Sequence, residues 1–484
     1  MDEGSLLLIV GAVLAASLAV GLGASRAGVP VLVAFLALGM LLGSDGPGGI
    51  AFDDARLART VGIVCLVAIL YEGGLSTSWR RMRHVAVPAA LLSTIGVAVT
   101  ALLTGVAAHL LFDLSWPESV VLGGVVASTD AAAVFATLRH THIRRRLART
   151  LEGETGLNDP TAIALTIGLI DWIDDPTFRL DDLALLLVRQ LGVGLVVGVV
   201  LGLVATRVFA SLPVSVGSFA PVASVSVAAL SFGVADMLGG SGFLAVYLVG
   251  LAVGSTPSQH RGQLVAFHES LAFLAQVTMF VVLGLLVFPS DLPRVMVSGF
   301  VLALLLVVVV RPVAVWVSTA FSDFTTRERA FLGWAGLRGA VPIVLGTFVL
   351  SAGLAHGETI FNAVFFVVLV SALVQGTTLE RVAAALGLVD VPTPVTPRPL
   401  HVDDASPLDL VEFDVSGDDA IAGAAVRELG LPRSALVASI ARGGHTIPPR
   451  GSTEVEAGDR LYVLIPQGAR AALDDVFSRW RRRV

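Results

Sequence analysis

LEGETGLNDPTAIAL, residues 151–165, decides how the whole chain is read. It sets Glu152, Glu154, Asn158 and Asp159 against a long apolar stretch. On a helix, Glu154 and Asn158 are four apart and share a face, and Thr155 and Asp159 are four apart on the adjoining face. Pro160 has no N–H to give to the carbonyl of Gly156, so that carbonyl is left for another partner. Glu152 follows a run of arginines and reads as a rim charge. Asp159, seven residues further on, lies about 10 Å deeper at 1.5 Å per residue.

Composition supplies the medium for that depth. The 484 residues are 55% hydrophobic and 14% charged, where soluble domains carry about 25% charge. Fifty glycines suit helices that approach closely in lipid. The one cysteine, Cys65, excludes an internal disulfide and sits in an apolar run where packing is its role. A net charge of −6 decides little, because placement matters more than the sum. The first apolar segment, from Ser5, follows an acidic start with no basic n-region and no cleavage site, so it reads as a retained helix.

A crossing needs about 20 apolar residues. Roughly thirteen segments qualify, centred near residues 14, 38, 66, 97, 128, 161, 196, 227, 247, 278, 305, 340 and 370. With the C-terminus cytoplasmic and the N-terminus outside, the inner loops collect Arg80, Arg81, Arg83, Arg139, Arg144, Arg145, Arg146, Arg149, Arg207, Arg261, Arg327 and Arg329. The outer loops, such as DWIDDPTFRLDD (171–182), are acidic, as the positive-inside rule expects. The fold class is therefore an all-α polytopic membrane protein; the family resemblance given below implies the cell membrane of a prokaryote.

Hydrophobicity stops after Leu388. A Pro-rich linker over 389–406 joins the transmembrane domain, 1–388, to a small cytoplasmic α+β module, 407–484. In the module, LDLVEFDV (408–415), SALVASIARGGHTIPP (434–449) and AGDRLYVLIP (457–466) read as strands, the second as two strands about Gly443-Gly444. DDAIAGAAVRELG (418–430) reads as a helix with an Asp start and a Gly stop, and GARAALDDVFSRW (468–480) as a closing helix. So small a core is often helped by dimerisation.

Carboxylates at a helix centre cost about 2.5–3.5 kcal/mol on insertion scales, so each needs an account. In VVLGGVVASTDAAAVFATL (120–138), Ser128, Thr129 and Asp130 are strong N-cap types at mid-span. Either Asp130 hydrogen-bonds to another helix, or the helix unwinds near 127–130 and lines a cavity; intramembrane carboxylates default to the second. Arg311, in VLALLLVVVVRPVAVWV (301–317), stays charged and needs an anion, and Glu154 is the first candidate. Arg338, in FLGWAGLRGAVPIVLG (331–346), lies among Gly333, Gly336 and Gly339 with Pro342 behind, a second interrupted helix antiparallel to the first. Two interrupted helices at matching places of inverted repeats mark a transporter's central site. Glu72 in LYEGGL either belongs to a proton path or braces a glycine packing site; His268 and Glu269 read as rim residues at a helix end.

STDAAAVF (128–135), EGETGLNDPTAIAL (152–165) and GLRGAVPIVLG (336–346) resemble the NhaP-type cation/proton antiporters, relatives of the eukaryotic sodium/proton exchangers; LYEGGL and QVTMFVVLGLLV (276–287) look like further family segments. The module is similar to the TrkA-C or RCK-C domain, a combination that looks like the potassium/proton branch. The resemblance implies an NhaA-like antiporter fold and a homodimer with an interface half and a moving core half. It implies that Asp159 binds a cation or a proton, helped by Asp130, Thr129, Thr155 and Ser128. The metal ligated by Asp159 and Asp130 is the transported K⁺ or Na⁺. Asn158 would steady the crossing helices, and Glu154 would pair with Arg311; Arg338 is counted with them as a supporting residue from its place in the second interrupted helix. Position 155 is threonine where serine is often found; both offer a hydroxyl.

Burial favours the neutral form of a carboxylate and an adjacent cation favours the charged form, so one site can exchange the two. With Glu154 held and Asn158 unable to carry a proton, the expected exchange is one-for-one and electroneutral, serving pH and cation homeostasis. No enzymatic activity, resident cofactor or nucleic-acid partner is expected. The module is expected to regulate, with a nucleotide or an ion as its small-molecule ligand. Alternatives are a cation channel gated by the RCK-like module and a sodium-coupled organic anion symporter.

Overall fold

The computed structural model describes residues 3–138, 141, 143–175, 177–211, 219–256, 258, 260–389, 408–432, 434–443, 445–466, and 473, 476, 477, 479 and 480. The expected linker lies outside them except for Val389, as does Arg139. The chain divides into two units, Met1–Val389 and Asp390–Val484.

The first unit is helical. Helices α1 (Glu3–Ala27), α2 (Val31–Leu42) and α3 (Ala55–Ser76) lead to a single turn, α4 (Trp79–Met82). A continuous helix follows, made of α5 (Ala86–Leu91), a π-turn at Leu92–Gly96, and α6 (Val97–Leu111). Then come α7 (Trp116–Val125) and α8 (Ala131–Thr137), the two pieces of one broken helix, and the long α9 (Arg145–Asp174). Next are α10 (Leu180–Ser211), α11 (Phe219–Met237), α12 (Gly242–Ser255) and α13 (Arg261–Leu285). Helices α14 (Leu292–Leu305) and α15 (Arg311–Ser318) are joined through a second π-turn, Leu306–Val310. A second broken helix, α16 (Thr326–Trp334) and α17 (Ala340–Ala352), precedes α18 (Gly357–Ala385). Among the described residues, eight helices are long and apolar enough to cross a membrane; α2, α12 and α17 are shorter and apolar.

Close packing explains many of the glycines. A Cβ on Gly74 or Gly254 of the α3–α12 pair, on Gly39 or Gly284 of the α2–α13 pair, or on Gly123 of the α6–α7 pair would meet the partner's backbone. Small residues let backbones approach this closely. The helices form two bundles: α1–α3 with α10–α13, and α5–α9 with α14–α18. Where the bundles meet, glycines receive side chains instead: Tyr247 covers Gly156, and Val344 covers Gly62.

The second unit is a four-stranded antiparallel sheet in the order β1 (Leu408–Asp414), β4 (Arg460–Pro466), β2 (Leu436–Arg442) and β3 (His445–Ile447). Its core joins Val411, Phe413, Ile440 and Val463 to Phe477 and Trp480, and the described residues from 473 to 480 are helical. Gly444 and much of the closing helix lie outside the described residues. The helix expected over 418–430 is not formed: only a 3₁₀ turn at Val426–Glu428 is helical. Its backbone is used elsewhere. Gly423 N–H donates to Val455 O, Val455 N–H to Ala424 O and Val426 N–H to Thr453 O, while Gly423 takes φ +92°. Pairing with 451–455 overrides helix propensity.

Candidate functional site

The site is built where the two helix breaks cross. Asp130 caps α8, accepting from Ala133 N–H at 3.0 Å through its carboxylate. Its backbone N–H donates to Leu337 O at 2.8 Å, across to the second break. Arg338 returns the contact: Nη1 donates to Ala127 O and Ser128 O, both at 2.6 Å. Those carbonyls follow the C-terminal end of α7, where a helix dipole favours positive charge. Gly339 passes so near Asp130 that a Cβ there would strike its carboxylate. From α18, Ser371 Oγ accepts from Arg338 N–H at 3.1 Å and donates to Gln375 Oε1 at 2.5 Å. Gln375 Nε2 in turn donates to Trp334 O at 2.7 Å. Unwound backbone at this depth is tolerated because protein groups satisfy it.

Helix α9 lies against the crossing. Asp159, 4% exposed, accepts from Ser128 Oγ at 2.5 Å. Thr155 Oγ1 accepts from Ala131 N–H, one of the free donors at the start of α8, at 3.1 Å. Asn158 Nδ2 donates to Thr129 Oγ1 at 2.6 Å and reaches Thr129 O at 3.4 Å. One turn before Asn158 and on its face, Glu154 Oε1 lies 2.6 Å from Arg311 Nη2, with both side chains at most 3% exposed. Arg311 has no hydrogen-bonded N–H from Nη2, so this contact is an ion pair approached off the N–H axis. Ser93 Oγ donates to the Glu154 carbonyl at 2.9 Å. Ser93 belongs to the first π-turn and Arg311 directly follows the second; such bulges are frequent at functional sites.

A cavity of about 280 Å³ adjoins the crossing. Asp159, Asp130, Thr129, Thr155 and Ser128 all line it, whereas Glu154, Asn158, Arg311 and Arg338 do not. The opposite wall carries Glu72, Tyr247 and Gln276. Exposed Glu152 stands at its mouth, at the arginine-rich end of α9. The candidate residues thus divide into a set facing the cavity and a set tying the helices behind it. The first set offers carboxylate and hydroxyl oxygens, the donors that hard cations take. Among the described residues there is no cluster of three or more His, Cys, Asp or Glu of the kind that holds a resident metal.

Glu72 faces the cavity, with Ser76 Oγ donating to it at 2.7 Å; Gly74, not Glu72, makes the close contact with α12. His268 is a correction. It lies two turns inside α13, 1% exposed, with Nε2 2.9 Å from Ser224 Oγ, which donates to Tyr71 Oη. Arg338 is 2% exposed, and the carbonyls of Ala127 and Ser128 engage its Nη1. Ser371, Gln375, Ser93 and Tyr247 were not singled out from the sequence. Ser371 and Gln375, four apart in an apolar helix, were the one readable signal.

With this geometry in hand, the comparisons are specific. The transmembrane sodium/hydrogen exchanger model matches residues 12–385, and the TrkA-C domain model matches residues 410–478. The chain is 38% identical to the K(+)/H(+) antiporter NhaP2 of Shewanella baltica, over 99% of this chain and 84% of that protein. It is 36% identical to the K(+)/H(+) antiporter NhaP of Alkalimonas amylolytica, over 95% of this chain and 80% of that protein. The structure of the sodium proton antiporter MjNhaP1 from Methanocaldococcus jannaschii superimposes with a TM-score of 0.71 at 22% identity, covering 80% of this chain and 99% of that one.

Proposed function

The chain belongs to the sodium/hydrogen exchanger family, and from that premise we propose how its site works. The protein is a multi-pass membrane transporter that exchanges a monovalent cation for protons. The cation and the proton compete for Asp159. Asp130, Thr129, Thr155 and Ser128 complete the cation's oxygen shell. The carrying observation is the partition of the carboxylates: Asp159 opens to the cavity, while Glu154 is closed off against Arg311.

Bound cation or bound proton leaves the site neutralised and able to cross. An empty, charged carboxylate crosses poorly, because a bare charge is costly in a low-dielectric barrier. That asymmetry couples the two fluxes. With one cycling carboxylate the exchange is one-for-one and electroneutral. Potassium is the favoured cation, in line with the relatives named above as K(+)/H(+) antiporters.

The finer architecture follows the same reading. Counting each broken helix once, and each π-turned helix as continuous, among the described residues supports a reading of thirteen crossings. The matching order of π-turned helix, broken helix and long helix in α5–α9 and α14–α18 supports inverted repeats in an NhaA-like fold. The N-terminus is outside and the C-terminus cytoplasmic, placing the cavity mouth on the cytoplasmic side. Residues 1–388 form the carrier, 389–406 a linker and 407–484 a regulatory module that binds a nucleotide or an ion. The protein works as a homodimer in which α5–α9 and α14–α18 move. Proteoliposomes with opposing proton and cation gradients test the reading. Saturable exchange that needs the counter-gradient, with potassium preferred over sodium, is expected; flux independent of a counter-gradient would favour a channel.

A further inference from the structure

The cavity is sealed on the side away from Glu152 by direct packing of α3 on α17. The two helices meet turn by turn. Leu66 and Val341 line the cavity's end. One turn further, Val344 seats on Gly62, where a Cβ would come within 3.0 Å of both its methyl groups. One turn further again, the Arg59 guanidinium lies 3.9 Å from the centre of the Phe348 ring, and its Nη1 donates to Ser351 Oγ at 3.2 Å. Helix α3 belongs to one bundle and α17 to the other, so this seam must part whenever the site is reached from the far side.

We propose that Arg59, acting with Phe348 and Ser351, is the latch that holds the far side of the site closed and sets the balance between the two access states. The proposal rests on the carrier reading above. Its physical basis is the kind of contact Arg59 makes. No salt bridge is formed by Arg59 among the described residues, unlike Arg311 on Glu154. A ring and a hydroxyl make a cation–π contact and one hydrogen bond, which part without stranding an unpaired anion. Half-buried near the start of α3, Arg59 regains water when the seam opens. The Arg311 pair, if broken, would leave two uncompensated charges in hydrocarbon. One arginine is suited to opening on every cycle and the other to never opening. Arg59 is a positioning residue: it touches neither cation nor proton.

The test is sided. Right-side-out and inside-out membrane vesicles carrying the full chain give the apparent KM for potassium, and for sodium, from each face. If the near-side-open state predominates, weakening the latch raises the fraction open to the far side. Arg59→Ala should then lower the far-side KM by roughly 2- to 30-fold, the range spanned by cation–π contacts, without lowering the near-side KM. Phe348→Leu should act in the same direction and add little to Arg59→Ala, because both remove one contact. Arg59→Lys, which keeps a cation over the ring, should fall between. Gly62→Ala adds atoms to the same seam and should also lower the far-side KM, which a mere loss of folded protein would not do. Equal changes on both faces, or none, in Phe348→Leu and Gly62→Ala would overturn the latch even if Arg59→Ala fails to insert. Absence of counter-gradient-dependent exchange in the wild type would overturn the latch and the carrier reading together.

Discussion

Glu154 and Asp159 stand five residues apart on α9, both at most 4% exposed. Glu154 faces Arg311 and the π-turns, in a wall with no access to the cavity. Asp159 faces Ser128, Asp130 and open space. Identical chemistry is thus given opposite freedom by the neighbours alone. On the proposed function, the permanent counter-charge makes Glu154 structural, while a hydroxyl and a cavity leave Asp159 able to exchange its partner. A third carboxylate extends the comparison beyond the membrane domain. Asp459 is gripped by Arg442 through two bonds, 2.7 and 2.8 Å, and Arg442 also reaches Glu456. Burial pushes Asp459 up, but the Arg442 bonds, the Glu456 N–H and the arginine charge outweigh it and hold the carboxyl below its usual range.

The largest effect is expected at Asp159. Asp159→Asn should reduce exchange to background while the purified protein melts as the wild type does; retained exchange would remove the distinction between the two carboxylates. Next is the structural one. Glu154→Gln should destabilise the protein by about 3–5 kcal/mol, the cost of stranding one partner of a buried pair, visible as a lowered melting temperature in detergent. Glu154→Leu combined with Arg311→Met should recover much of that loss, and a double variant no better than the single would deny that the pair is the reason. Asn158→Ala loses its bonds to Thr129 and should cost about 1–3 kcal/mol, slowing exchange without abolishing it. The smallest effect is at Asp459. Because its folded carboxyl is held below the unfolded value of about 3.9, the added stability is present above that pH and is lost as pH falls through the lower, folded value. Asp459→Asn should flatten this acid limb and cost about 1 kcal/mol at neutral pH, given the partly exposed partner. An unchanged acid limb would count against the pairing.

The features legible in the sequence were those that cost energy in lipid. Asp130, Asp159, Glu154, Arg311 and Arg338 announce themselves because a charge in hydrocarbon demands a partner. Glycines and an Asp placed the two helix breaks. The π-turns at Leu92–Gly96 and Leu306–Val310 were not legible, since Leu and Val fit an α-turn or a π-turn equally. Ser93 was not legible because a serine can satisfy itself on its own helix, as its Oγ does on Ala89 O, and Ser371 and Gln375 were legible only as a polar pair four apart. His268 read as a rim residue because its partners, Ser224 and Tyr71, lie on distant segments. The missing helix at 418–430 failed for the same reason: its backbone pairs with residues far along the chain.

Competition at Asp159 is tested most directly by the cation dependence of exchange in proteoliposomes at a series of pH values. Lowering the pH should raise the apparent KM for the cation by up to about tenfold per unit while the rate at saturating cation stays constant. A saturating rate that falls with pH at constant KM would mean that the proton and the cation occupy different sites, and would contradict the account.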